Sequence, residues 1–90
     1  MAVLLVTYDL DGEGNRPNIT NKLKQAFPRC AKISESSYAI STGLTPEQVV
    51  DDVRPMLDAK DRLYVVSLVK PFSGLGPNDV REWFSNNLTY

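Results

Sequence analysis

Asp9 is the residue whose type and position most favour chemistry. It follows the apolar run at residues 2–8 directly, so we expect its carboxylate at the end of a buried strand, where a loop begins. The sequence contains no histidine, which excludes Ser-His-Asp and Cys-His catalysis and histidine-ligated zinc. Catalysis at neutral pH must therefore use carboxylates, Lys, Tyr, Ser or a metal ion bound by oxygen atoms.

Two functions for Asp9 follow from its position. If two copies of the chain meet near this residue on a two-fold axis, two carboxylates face each other and attract a divalent cation such as Mg²⁺ or Mn²⁺. Alternatively, the carboxylate only caps the turn that follows, because residues 11–15 are rich in turn formers. The sequence leaves both functions open.

A group of basic residues surrounds the predicted first helix. Arg16, Lys22 and Arg29 are the predicted contacts to nucleic-acid phosphates. The alternative is an ordinary polar helix surface, because no aromatic residue lies among them for base stacking. Ten basic and eleven acidic residues give a formal net charge of -1. This balance excludes a strongly basic coat protein for nucleic acid, but it allows a local basic patch.

The length and composition predict one small globular domain. The chain has 90 residues, of which 42% are hydrophobic and 23% charged, a balance that argues against disorder. We expect one domain over residues 1–90, with a core at about 2–70 and a C-terminal segment at about 71–90. Cys30 is the single cysteine, no signal peptide is visible and no apolar run reaches membrane-helix length. These features predict a cytoplasmic protein with no membrane segment and no organic cofactor.

The hydrophobic pattern predicts four strands and two main helices. The strands lie at residues 2–8, 30–34, 37–42 and 62–69. The Pro17-Asn18 pair opens the first helix, with Asn18 as a candidate N-cap, and the second helix starts with a capping box between Thr45 and Gln48. Pro55 should kink or end the second helix. A last short helix, capped by Asn78, follows a loop at residues 71–77.

The order of these elements is βαββαβ with a C-terminal appendage. This order predicts an α+β, ferredoxin-like fold, in which two helices cover one face of a four-stranded antiparallel sheet. The first and last strands are apolar on both sides. The uncovered face would therefore carry Val3, Leu5, Leu63 and Val65, or the residues that alternate with them. A homodimer closing sheet on sheet would bury this face, or the C-terminal segment would cover it.

Several short motifs resemble those of one family. Leu5-Val6-Thr7-Tyr8-Asp9-Leu10 is similar to the opening strand of the CRISPR-associated Cas-two family, in which a Tyr-Asp pair ends the first strand. Arg16 falls near that family's basic position at the start of the first helix. Ser37-Tyr38-Ala39-Ile40 resembles its Ser-hydrophobic-aromatic strand, with the aromatic displaced. The segment at residues 61–68 matches its last core strand.

Within this superfamily the chain is most similar to the SinR-like, Cas-two-like proteins. Those proteins have a Tyr-Asp-Leu opening, a second helix that begins with Thr and contains a late Pro, and a final strand that begins Asp-Arg-Leu. Thr45, Pro55 and the Asp61-Arg62-Leu63 segment match this pattern. The resemblance extends over about residues 3–72, and the order of the motifs is its most specific feature.

The resemblance implies a ferredoxin-like homodimer with one of two functions. In the first, the chain is a metal-dependent endonuclease for RNA or DNA, with Asp9 as the catalytic residue and as the ligand of Mg²⁺ or Mn²⁺. In the second, it is a non-catalytic dimeric adaptor or regulator that binds nucleic acid or a protein partner, and Asp9 only shapes a turn. The sequence leaves both functions open.

Overall fold

The computed structural model describes residues 1–12 and 14–89, which form one four-stranded sheet and three α-helices. The strands are β1 (Ala2–Asp9), β2 (Cys30–Ser34), β3 (Ser37–Thr42) and β4 (Arg62–Leu68). The helices are α1 (Arg16–Ala26), α2 (Pro46–Val53) and α3 (Asn78–Asn87). A short 3₁₀ turn, Arg54–Met56, continues from α2.

The sheet is antiparallel throughout, in the order β2-β3-β1-β4. The central position of β1 explains why its sequence is apolar on both sides. Val6 of β1, for example, lies between Tyr38 of β3 and Val65 of β4. The two edges of the sheet are β2 and β4.

The main core lies between one sheet face and the helices α1 and α2. Ile19 and Leu23 of α1 and Val49 and Val53 of α2 have no measurable exposure. They pack on a buried stripe of the sheet formed by Leu4, Val6, Tyr8, Tyr38 and Ile40. The predicted placement of both helices on one face of the sheet is therefore confirmed.

The ends of α2 follow the sequence prediction. The Gln48 backbone N–H donates to Thr45 Oγ1 at 3.2 Å, and the Thr45 backbone N–H donates to Gln48 Oε1 at 2.9 Å, so the capping box is present. The helix ends at Val53, and Pro55 lies in the 3₁₀ turn that follows. Proline ends the helix because it has no N–H to donate to the preceding turn.

The predicted caps of the other two helices are wrong. Helix α1 begins at Arg16, so Asn18 lies inside it, and the cap residue is Asn15, whose side chain makes no cap hydrogen bond. The helix can start before Pro17 because proline is tolerated in a first turn, where N–H groups have no helical partner. The cap residue of α3 is Pro77, and Asn78 is the first helical residue.

Helix α3 covers part of the second sheet face. Leu88, just beyond the helix, is 4% exposed and belongs to a second buried cluster with Val3 and Ala39, against which Trp83 and Phe84 pack. The C-terminal segment thus provides some of the cover that the doubly apolar strands require. Of the two covers predicted for this face, a second copy of the chain or the C-terminal segment, the structure shows the C-terminal segment covering part of it.

A strip of the second face stays uncovered along β4. Tyr64 is 68% and Val66 48% exposed, and they lie opposite Thr7 and Leu5 of β1. We call these four residues the β4 strip. The sequence left open whether Leu63 and Val65 or the residues that alternate with them lie on the uncovered face. Leu63 and Val65 oppose core residues of β1, so Tyr64 and Val66 are the ones that face outward.

No helix within residues 1–12 and 14–89 is long and apolar enough to cross a membrane.

Candidate functional site

Asp9 lies exposed at the end of β1, directly opposite Arg62 of β4. Both residues lie on the face that carries the β4 strip, since the next pair along the same face is Thr7 and Tyr64. Asp9 and Arg62 also border an open polar depression, together with Asp11, Lys60 and Asp61. The predicted site residue therefore lies at a strand end beside a loop, next to a cation on the neighbouring strand.

The Asp61 carboxylate connects the two loops beside Asp9. Its Oδ1 accepts from the Asp11 backbone N–H at 2.7 Å. Its Oδ2 accepts from the Asp58 backbone N–H at 2.8 Å and from the Asn15 side-chain amide at 3.0 Å. These three bonds hold the loop after β1 against the loop before β4, and so fix the surroundings of Asp9.

These hydrogen bonds lower the pKa of the Asp61 carboxyl below its ordinary value. The Asp58 N–H contributes most, followed by the Asp11 N–H and the Asn15 amide. Each donor stabilises the charged form of the carboxylate. The network is therefore strongest when Asp61 is ionised.

We expect the stabilising effect of Asp61 to disappear in acid. An unfolded aspartate titrates near about pH 3.9, so the contribution is complete above about pH 4 and is lost as the pH falls through the lower folded value. Thermal unfolding of wild type and Asp61→Asn should differ at neutral pH and converge in strong acid. Asp58→Asn is the control, because Asp58 contributes its backbone N–H. A gap between wild type and Asp61→Asn that does not change with pH would contradict the assignment.

Arg16 contacts the protein itself. Its guanidinium lies 5.9 Å from the centre of the Tyr8 ring, and its Nη1 donates to the backbone carbonyl of Glu35 in the turn between β2 and β3. Glu35 also pairs with Lys32, at 2.9 Å between Oε1 and Nζ. Arg16 therefore joins the start of α1 to the β2–β3 turn.

The three predicted nucleic-acid contacts are spread along α1. Arg16 is the first residue of the helix, whereas Arg29 lies beyond its far end. The helix from Arg16 to Ala26 alone is about 15 Å long. Lys22 lies between them and borders a groove with Met56 and Asp58. The structure does not gather these cations into one patch, and a role in nucleic-acid binding stays a prediction for each.

The Tyr8 hydroxyl is buried without a hydrogen-bond partner within the described part of the chain. The residue is 4% exposed. Burial raises the pKa of this phenol, and the neighbouring Tyr38 raises it further. A buried unpaired hydroxyl carries an energetic cost, so the residue before Asp9 is a local weak point of the core.

Asp9 alone does not fit a bound metal ion within one chain. Residues 1–12 and 14–89 contain no group of three or more acidic or cysteine side chains placed to hold one. The Asp61 carboxylate nearby already accepts three hydrogen bonds. Mg²⁺ takes about six oxygen ligands in near-octahedral geometry. A second chain, phosphate oxygens or water would have to supply the remaining ligands at Asp9.

The network around Asp61 is the feature of this region that the sequence pattern did not predict. Asp61 accepts bonds from residues up to 50 positions away, so its role depends on tertiary contacts. Tyr64 is one of the alternate residues predicted for the uncovered sheet face, and in the structure it is 68% exposed there. Comparison with protein-family models and with curated protein sequences finds no match for the chain.

Proposed function

We propose that the protein is a homodimeric, Cas-two-like adaptor with a ferredoxin-like fold, which binds nucleic acid or a protein partner in the cytoplasm without cleaving it. The observation that carries this proposal is the β4 strip, where Tyr64 and Val66 remain exposed after α3 has packed on the same face. Contiguous apolar surface of this kind is characteristic of an interface. The strand order β2-β3-β1-β4 and the two helices on one face support the ferredoxin-like assignment.

The surroundings of Asp9 support a non-catalytic function. Asp9 lies opposite Arg62 in the register of β1 and β4, and opposite charges facing each other across a sheet are a favourable arrangement that needs no ligand. The adjacent Asp61 is occupied in holding two loops together. The position of Asp9 as the last residue of β1 can therefore be explained without a catalytic role.

The second candidate is a metal-dependent endonuclease that acts on RNA or DNA through Asp9. It is favoured by one observation: Asp9 is exposed and lies on the same face as the β4 strip. A dimer that stacked these faces together could bring two Asp9 carboxylates to one Mg²⁺ or Mn²⁺ ion. In such a dimer, Arg16, Lys22 and Arg29 would be the residues to test as contacts of the substrate backbone.

Asp9→Asn separates the two candidates. Wild type and variant are incubated with single-stranded RNA and with duplex DNA, in Mg²⁺, in Mn²⁺ and in EDTA, and products are resolved on denaturing gels. For the adaptor we expect no cleavage by either protein under any of these conditions. Cleavage that needs the metal and is lost in Asp9→Asn would establish the endonuclease instead.

The control for this assay is Asp52→Asn, an exposed substitution on α2. It removes the same charge away from the strand end. Light scattering on all three proteins should give the same dimeric mass, because neither substitution changes the β4 strip. A wild type that is monomeric at high micromolar concentration would contradict the proposed homodimer.

A further inference from the structure

The two edges of the sheet differ in their ability to accept another strand. Edge strand β2 has an irregular register between Lys32 and Ser34 and carries the exposed Lys32, and bulges and edge lysines both discourage strand addition. Edge strand β4 pairs with β1 in unbroken register from Arg62 to Leu68 and has no proline or lysine within it. Its free backbone edge runs beside the exposed Tyr64 and Val66.

We infer that two copies of the chain associate by antiparallel pairing of β4 with β4, on a two-fold axis that passes between the two copies of Val65. The inference rests on the proposed homodimer and names its interface. Such a pair keeps each sheet face continuous across the dimer, because residues equidistant from the axis oppose each other on the same side. Two four-stranded sheets thereby become one eight-stranded sheet.

Overlap and side-chain pairing select this register. Centring on Val65 aligns all of β4 from Arg62 to Leu68 with its copy, and it places Tyr64 of each chain against Val66 of the other. An aromatic residue facing a β-branched residue is a favourable cross-strand pair. Each of these side chains, exposed in the single chain, would gain a lateral neighbour and lose part of its exposed surface.

The neighbouring registers are less favourable. Centring on Val66 would align only residues 64–68 of the strand, because β4 ends at Leu68. Centring on Tyr64 would align only residues 62–66 of the strand. Shifts by half a residue are excluded because they would oppose outward-facing residues with core-facing ones.

This dimer places the two Asp9 residues far apart. Each Asp9 lies on β1 at the level of Arg62, so the two are separated by three strand spacings, about 14 Å, and by six residues along the strands, about 20 Å. The combined distance is about 25 Å. A shared metal ion needs oxygen ligands within about 2.6 Å of its centre. An edge-paired dimer therefore cannot use two Asp9 carboxylates at one ion.

Disulfide cross-linking can test the register directly. The protein is prepared with Cys30→Ser, and Tyr64→Cys, Val65→Cys, Val66→Cys and Ser67→Cys are added one at a time. Opposed residues in an antiparallel pair have Cα atoms about 4.5–5.5 Å apart, within the range of a disulfide. We expect Val65→Cys alone to shift from monomer to dimer mass on a non-reducing gel after mild oxidation. Ser67→Cys is the matched control, because each copy lies opposite residue 63 of the other chain.

The other outcomes overturn the inference in different ways. A cross-link at position 64 or 66 instead of 65 would show that β4 pairs in another register. Equal cross-linking of all four variants would show collision without a fixed interface. No cross-link in a protein that light scattering finds dimeric would remove the edge-paired interface and leave the proposed homodimer standing. A monomeric wild type would remove both.

Discussion

Leu88→Ala should lower the free energy of unfolding by about 2–4 kcal/mol. Leu88 is 4% exposed and packs with Val3 and Ala39 on the second face of the sheet. Truncating a buried leucine removes apolar contacts and leaves a cavity that the structure fills only in part. Urea denaturation followed by circular dichroism measures the change. Since α3 lies against this face, its anchoring depends on the same contact.

Leu75→Ala is the matched control for this experiment. Leu75 is 100% exposed in the loop before α3, so the same substitution there should change stability by no more than about 0.5 kcal/mol. The comparison holds the chemistry constant and varies only burial. Equal effects at the two positions would contradict the docking of the C-terminal segment on the sheet.

Tyr8→Phe should raise the free energy of unfolding by about 1 kcal/mol or more. The substitution keeps the ring in the core and removes a hydroxyl that is buried without a hydrogen-bond partner. The cost of leaving such a group unpaired is about 1–3 kcal/mol, and phenylalanine avoids it. Tyr64→Phe is the control, because Tyr64 is 68% exposed and its hydroxyl is free to meet water.

Alkaline pH gives a second measurement for Tyr8. Burial raises the pKa of its phenol, so the unfolded chain ionises first as the pH rises past about 10, the ordinary value. Wild type should therefore lose stability above that pH, and Tyr8→Phe should lose less. A Tyr8→Phe protein that is less stable than wild type would show that the hydroxyl has a partner in solution.

The strands could be predicted from the sequence because their signals are local. Alternating or doubly apolar runs defined β2 and β3 at the bounds that the structure has, and β1 and β4 to within one residue. The capping box at Thr45 and the break at Pro55 also depend only on neighbouring residues. Sequence patterns within a single element were sufficient to predict these strands and the ends of α2.

The ends of α1 and α3 could not be predicted in the same way. Asn18 and Asn78 are good cap residues by type, but the helices begin at Arg16 and Asn78. At Arg16 the tertiary contacts with Glu35 and Tyr8 accompany the earlier start. Interactions between distant segments can override a weak local preference for a cap.

The surroundings of Asp9 depended on information that a single sequence lacks. Its place at a strand end followed from the apolar run before it. The Asp61 network joins residues 11, 15 and 58, and no spacing rule links those positions. The role of α3 was left open for a similar reason, because amphipathic character alone does not tell which of two faces a helix will cover.

The difference between the two sheet edges also limits how far the protein can grow by adding strands. Once β4 has paired with its copy, each end of the joined sheet is a β2 strand with its irregular register and its Lys32–Glu35 ion pair. Fibril growth needs a regular edge that each arriving chain renews. In the inferred dimer the first addition would consume the only regular edge in the described sheet, so we expect assembly to end at two chains and concentrated native protein to resist conversion to cross-β fibrils.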